Sequence, residues 1–458
     1  MEKIEITNKE ELLEGPKGEA KKIALDLLER GLRAVLPGRA VKRSLKLEGS
    51  RLTVGGEAID LKEVEDIYVL GGGKASYPLG KAVYELLGER IKAGLLVTKR
   101  GSGGERIGPI EVEEAGHPVP DEVGRRAGIR LLEMAKEVEE DDLAIALISG
   151  GGSALLNCPV EGVALEEMVQ LTKLLLESGA NINEINSVRK HLSQVKGGRL
   201  ARAIAPGRTL TLIISDVVGD PLDVIASGPT AADDSTFRDA LSVLEKYDLQ
   251  EDTPTSIIGH LRRGLKGGGE ETVKAEEMEG LRLTNHVLGN NLTALEAMAE
   301  RGKQLGFEPL ILSSMIEGES GVVGGVHGGL ARSIVHEGKP LSKPALILSG
   351  GETTVTIEEG EYGAGGPNQE FVLGAAEKIA GLEGTAIAAI DSDGEDGGTE
   401  TAGAIIDGPA AAKAGSRLGE ALRKHTSRAL LKGINGAIKT GPTGTNVNDL
   451  RLILSTVE

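Results

Sequence analysis

Lys74 follows three consecutive glycines, Gly71, Gly72 and Gly73, and precedes Ala75 and Ser76. An apolar run at residues 67–70 leads into these glycines, and a helical pattern, SYPLGKAVYELL, leaves them. A strand that ends in a glycine turn and opens a helix aims backbone N–H groups and the positive end of the helix dipole at one spot, which suits phosphate. A lysine at that end opposes the dipole unless an anion joins it. The spacing is not that of a Walker loop, which needs G-x-x-x-x-G-K-[ST]. The same device recurs where residues 143–148 run into Ser149, Gly150, Gly151, Gly152 and Ser153, and again in LILSGGETTV at residues 346–355. Glycine lets backbone amides approach a ligand closely, so repeated bends of this kind imply a polyphosphate site.

Two charged constellations narrow the chemistry. Residues 181–201 carry Arg189, Lys190, His191, Lys196 and Arg199 in a chain whose net charge is −18. Such a local cluster fits a carboxylate or phosphate, which arginine can hold with two parallel hydrogen bonds. His191 reads as a hydrogen-bonded structural histidine. Asp216 and Asp220, and likewise Asp391, Asp393 and Asp396, come just after apolar strand patterns, where carboxylates can hold Mg2+ directly or through water. The D-x-D-G-x-D spacing resembles a calcium loop but lacks its terminal glutamate.

The elements that must position these residues alternate: apolar strand, glycine-rich turn, amphipathic helix. After an opening helix (EAKKIALDLLERGLRAVL) and a hairpin, strand patterns appear at IYVLG, AGLLVT, LAIALIS, LTLIISD, LTNHVLG, PLILSS, PALILSG and TAIAAIDSD. Alternation of this kind implies βαβ units and a largely parallel sheet covered on both faces. With 458 residues the chain exceeds the roughly 250 to 300 that one core supports, so two domains are expected. The polar stretch 248–282 shows no strong strand and is the expected junction, giving domains 1–255 and 256–458. An acidic balance argues against a nucleic-acid partner. The lone Cys158 cannot form an intrachain disulfide, no apolar run reaches the roughly 18 residues of a membrane span, and the charged amino terminus has no signal-peptide core. A soluble cytoplasmic protein without a membrane partner is expected, with a homodimer as the base-rate assembly.

The segments GGGKAS, AGHPVPDE, SGGGSALL, VRKHLSQVKGGRLA, SDVVGDP, IASGPT, SGGETTV, GGPNQEF, DSDGEDG and TGPTGTNVNDL, in this order, resemble the class II glycerate 2-kinases, the MOFRL family. The resemblance runs from about Lys22 to the carboxyl end. It implies a Rossmann-like parallel-sheet amino-terminal domain and a smaller α/β MOFRL domain, with the active site in the cleft between them. The first helix is then a candidate to pack on the carboxyl-terminal domain. The implied reaction is ATP-dependent phosphorylation of D-glycerate at its 2-hydroxyl, with Mg2+ or another divalent cation. Lys74 matches the lysine regarded in that family as catalytic, neutralising the phosphoryl oxygens. Arg189 and Lys190 are the candidate substrate contacts, and Asp216, Asp391 and Asp393 the candidate metal ligands. The glycine loops at 71–73 and 149–153, with Ser76, are the candidate nucleotide contacts.

One segment departs from the family. Many relatives place arginine in the loop before Asn-Gln-Glu, whereas this chain reads Ala364, Gly365, Gly366, Pro367, Asn368. Gly365, Gly366 and Asn368 can still offer amides to phosphate, and Arg189, Lys196 or Arg199 are the cations available to replace the missing charge. Some relatives carry the label hydroxypyruvate reductase. An NAD(P)H-dependent enzyme of that kind needs G-x-G-x-x-G in its first βα turn, and Ser76 stands where the third glycine belongs.

Overall fold

The structure, a computed structural model, describes residues 4–14, 18–104, 106–357 and 362–457. It divides into two compact units, residues 40–288 and residues 1–39 together with 289–458.

The unit 40–288 begins with a small antiparallel sheet of β1 (Leu45–Glu48), β2 (Arg51–Val54) and β3 (Glu57–Asp60). Its main sheet has six strands: β4 (Ile67–Gly72), β5 (Ile91–Lys99), β6 (Ile110–Ala115), β7 (Leu143–Ser149), β8 (Arg208–Ile214) and β9 (Leu283–Gly289). Every residue of β4 and β7 is buried, as expected of central parallel strands covered on both faces. Helices Ser76–Leu87 and Glu122–Lys136 supply much of that cover, the second opened by Asp121, whose carboxylate accepts the Gly124 N–H at 3.0 Å. Leu70, Val97, Leu131, Ile148 and Leu155 meet in the interior. Burying each contributes about 1.5–3 kcal/mol, so the sheet carries the stability and leaves the loops free to be polar.

Strand order is β6-β5-β4-β7-β8-β9, and β4 is parallel to both β5 and β7. The chain therefore winds outward from β4 to β6, then returns to lay β7 on the other side of β4. Ligands of open parallel sheets bind at the carboxyl ends of the strands where the winding reverses. Here that point lies between the loops that follow β4 and β7.

The other unit holds β10 (Glu308–Ile316), β11 (Ala345–Gly351), β12 (Thr385–Asp391), β13 (Gly403–Asp407), β14 (Ala437–Ile438) and β15 (Asp449–Ser455). Their order is β10-β11-β15-β12-β13-β14, with β15 antiparallel to both its neighbours. Ile347, Phe371, Ile387 and Ile453 form its core beneath helices that include Ser320–Glu337 and Pro367–Ile379.

Two expectations change. The parallel arrangement holds for the first sheet, whereas in the second only β10 and β11 run parallel. The junction expected near residue 255 falls inside the unit 40–288, because helix Thr255–Leu265 buries Ile257, Ile258 and Leu261 against Phe237 and β9 extends the main sheet beside β8. The polar stretch before β9 is a surface excursion, not a linker. No helix of the described residues is long and apolar enough to cross a membrane.

Candidate functional site

The loops after β4 and β7 are stitched together. Lys74 N–H donates to the Gly150 carbonyl at 2.8 Å, and Ala75 N–H donates to Ser149 Oγ at 3.0 Å. Gly151 is left-handed, with φ +78°, and a Cβ there would lie 2.9 Å from the His117 ring and 3.2 Å from Lys74 Cγ. The lysine stem and the imidazole thus both lie over this glycine, and only glycine leaves them room. A Cβ at Gly150 would sit 1.8 Å from Asp216 Oδ2, so the Asp216 carboxylate abuts the same bend. Burial, then the charges of Lys74 and Lys99, push the His117 imidazole down to about 4, so the ring is neutral near pH 7.

Ser153 opens the far side. Its Oγ lies 2.7 Å from Ser227 Oγ, which in turn reaches Asn186 Oδ1 at 3.2 Å. Ala226 and Ser227 both hold positive φ, +52° and +61°, a costly backbone that presses Ser227 onto the loop. The Arg189 guanidinium donates to the Ser153 carbonyl at 3.3 Å. Lys74, Ser149, Ser153, Arg189 and Asp216 are therefore linked through one pair of loops.

Three candidates of this unit are turned elsewhere. Lys190 is buried, and its Nζ is held by Asp223 at 3.2 Å and Asp233 at 3.1 Å. Burial alone would raise the Asp233 carboxyl, but the Lys190 ammonium and the Ser235 hydroxyl hold it below its ordinary value. Lys190 is the counterion of that pair. Ser76 is fully buried, and its hydroxyl serves the carbonyls of Gly73 and Val97 at 2.8 and 3.1 Å, latching the turn from beneath. Arg199 is likewise a brace, giving Nη2 to the Glu270 carbonyl at 2.7 Å and Nη1 to the carbonyls of Ser193 and Lys190. His191 is structural as expected, with its ring between the Ser187 carbonyl and Glu271.

In the other unit the acidic residues gather at one end of the sheet. Asp391 Oδ1 accepts the Asp393 N–H at 2.9 Å, and Asp393 Oδ1 accepts the Glu395 N–H at 2.9 Å. Burial, together with the negative charges of Asp393 and Asp449, raises the Asp391 carboxyl well above its ordinary value. Carboxylates crowded in this way invite a cation. Among the described residues no group of three or more His, Cys, Asp and Glu side chains is arranged around one point. Asp391 and Asp393 fit an ion such as Mg2+, which keeps several waters and takes few protein ligands.

The helix start at Pro367 differs from expectation. Asn368 N–H and Gln369 N–H donate to the two oxygens of Asp396, each at 3.0 Å, and both side-chain amides reinforce them. This buried carboxylate occupies the amides that a phosphate was expected to use, and burial raises it to about 6 despite four donors. Gly365 and Gly366 are packed just as tightly, against Ser427 and Asp396. Gly365, Gly366 and Asn368 therefore close a structural clasp. Sequence reasoning gave no role to His117, Ser227 or Asn186. His117 and Ser227 lie in AGHPVPDE and IASGPT, two of the segments that carry the family resemblance, whereas Asn186 lies in none of them.

Residues 23–262 match a domain of unknown function (DUF4147), and residues 345–449 match the MOFRL family. The glycerate 2-kinase of Pyrococcus horikoshii is 43% identical over 444 residues, spanning 95% of this chain and 98% of that protein. The D-glycerate 2-kinase of Thermotoga maritima is 40% identical over 434 residues, 94% of this chain and 97% of that one. The crystal structure of a Thermotoga maritima glycerate kinase matches with a TM-score of 0.83 at 39% identity, over 95% of this chain and 99% of that chain. A protein of Agrobacterium vitis provisionally named hydroxypyruvate reductase is 42% identical over 390 residues, 84% of this chain and 86% of that one.

Proposed function

The chain belongs to the glycerate kinase family that carries a MOFRL domain, and from that premise we propose that it transfers the γ-phosphoryl group of ATP to the 2-hydroxyl of D-glycerate. The oxygen on C2 forms the new bond to phosphorus, the bond from the γ-phosphorus to its bridging oxygen breaks, and ADP leaves. The hydroxyl proton is released. Such transfers depend on positioning and on neutralising charge rather than on covalent help from the protein.

The observation that carries the reading is the place of Lys74. It stands at the reversal point of a parallel sheet, with its backbone tied to Gly150 and its stem over Gly151. There its ammonium neutralises phosphoryl oxygens held by the loop Ser149 to Ser153. Arg189, fixed on the Ser153 carbonyl, holds the carboxylate of the acid. Asp391 and Asp393 would hold a divalent cation such as Mg2+, which would supply charge neutralisation when bound.

The dinucleotide-dependent reading gains nothing from the turn after β4, where the buried Ser76, its hydroxyl latched on the Gly73 and Val97 carbonyls, stands where a third glycine would allow close helix–strand packing. Incubating the purified protein with ATP, Mg2+ and D-glycerate, and following phosphorus NMR, tests the proposal. 2-Phosphoglycerate and ADP are expected in equal amounts. A 3-phosphoglycerate product, or NADH oxidation with hydroxypyruvate in place of ADP formation, overturns it.

A further inference from the structure

Among the described residues, two basic side chains near the loop Ser149 to Ser153 lack anionic partners. The short helix Gly152–Leu155 and the residue after it offer carbonyls to both: Arg189 Nη2 donates to Ser153 at 3.3 Å, and Lys196 Nζ donates to Leu156 at 3.1 Å. Lys196 is only 1% exposed, and among the described residues that carbonyl is the one hydrogen-bond partner of its ammonium. Neither side chain is ion-paired to a carboxylate among the described residues. Lys190, next to Arg189 in sequence, shows what the fold does elsewhere, with two aspartates for one buried lysine.

An ionised ammonium with a single neutral acceptor is costly to bury. The charged and titratable groups acting on Lys196 are Arg189, from helix Ile182–His191, and Cys158, just beyond the short helix. Arg189 repels a second positive charge. The Cys158 thiol, pushed up by burial to about 11, stays protonated and offers no compensation. Burial and the Arg189 guanidinium together depress Lys196 well below its ordinary value.

We propose that Arg189 and Lys196 form a dicationic seat for the carboxylate of the acid substrate, and that Lys196 takes up a proton when that seat is filled. The anion contacts Arg189, while Lys196, sealed behind the loop, acts as a positioning residue through its charge and its hold on Leu156. The sign follows from linkage. Below both of its pKa values Lys196 is charged whether or not the seat is filled, and the anion binds most tightly. As pH rises through the lower value of the empty protein, the proton must be acquired on binding and affinity falls. Above the higher value of the filled protein, neither uptake nor the charge contribution remains.

This inference rests on the glycerate kinase reading and is separable from it. Titrating D-glycerate into the whole protein calorimetrically, at one pH in two buffers of different ionisation enthalpy, reads the protons taken up. The wild type should take up a substantial fraction of one proton, and Lys196→Met none. The variant should bind glycerate on the order of tenfold more weakly, equivalent to one pKa unit of coupling, with kcat little changed. Its melting temperature without ligand should not fall, because an apolar chain replaces a buried amine that has a single hydrogen-bond partner among the described residues. Lys196→Arg keeps the charge without titrating in this range, and should bind without proton uptake even if the methionine variant fails to fold. Buffer-independent heats in the wild type, uptake that persists in either variant, or uptake seen with ATP but not with glycerate would overturn the role of Lys196. A protein that phosphorylates no glycerate at all would instead sink the kinase reading.

Discussion

Asp391 and Asp449 stand directly opposite one another on the antiparallel neighbours β12 and β15. Two carboxylates at one register position repel, and they are told apart by their partners. Asp449 accepts Asn368 Nδ2 at 2.6 Å and is paired with Arg451, two residues along the same strand and fully buried. Among the described residues Asp391 has no such guanidinium. Its charge is left for a cation to answer, as Arg451 answers that of Asp449.

Arg451→Met should therefore be costly. The substitution strands a buried Asp449 carboxylate and removes a guanidinium that also donates to Thr353 and lies 5.3 Å from the Phe371 ring. Breaking one side of a buried pair costs about 3–5 kcal/mol. Urea unfolding should show a loss of that size, and the double variant with Asp449→Leu should recover much of it.

Lys74→Ala should depress kcat about a hundred- to a thousandfold, the usual effect of one preorganised electrostatic donor, while KM changes little. The turn contributes few core contacts, so the melting temperature should move by a few degrees at most. Lys81, exposed on the following helix with its ammonium over the Tyr77 ring, is the matched control. Equal small losses in both variants would remove Lys74 from the reaction.

Arg189 and Lys190, adjacent in sequence, should respond in opposite ways. Losing a charge-assisted hydrogen bond worth roughly 1.5–3 kcal/mol, Arg189→Ala should raise the KM for glycerate ten- to a hundredfold and that for ATP far less. Lys190→Met leaves Asp233 buried without its ammonium, so it should lose about 3–5 kcal/mol of stability. Steady-state kinetics beside denaturant melts of both variants give the comparison. A Lys190 variant with normal stability and a raised KM would reverse the assignment.

His117 should titrate late. Its folded-state value, about 4, lies below the unfolded value near 6.5, so the unfolded chain binds more protons between those limits. Stability from this residue is full above about pH 6.5 and is lost as pH falls toward 4. Proton NMR of the ring should show no transition above about pH 5. In Lys74→Ala the transition should move upward, since one of the charges that depress it is gone.

The centre of the first sheet was legible because β4 and β7 are buried on both faces and read as apolar runs leading into glycines. The loops around Lys74 and Ser149 could be placed from that alone. Strand β15 reads DLRLILS, whose Asp449 and Arg451 alternate with leucines as on a strand with one wet face, yet it lies in the middle of its sheet with every residue buried. Only pairing with strands far away in sequence tells where it goes. The site was harder for a related reason. Nothing near Lys190 announces that Asp223 and Asp233 will meet it, and nothing near Asn368 announces that Asp396 will fill the helix start. A cation's role depends on which distant carboxylate reaches it first.

Strand β15 also sets an order of events in biosynthesis. Helix Glu19–Ala34 packs on β12, β15 and helix Asn291–Gln304, so one of the earliest elements made waits for one of the last. A ribosome adding about 5–20 residues per second needs tens of seconds to travel between them. Meanwhile residues 40–288 emerge with every strand of their own sheet in hand, while Leu25, Leu28 and Leu32 wait without their partner surface. A nascent chain held short of residue 449 keeps a finished first unit tethered to an amphipathic helix whose apolar face has nowhere to dock, which is a substrate for chaperones and proteases rather than half an enzyme.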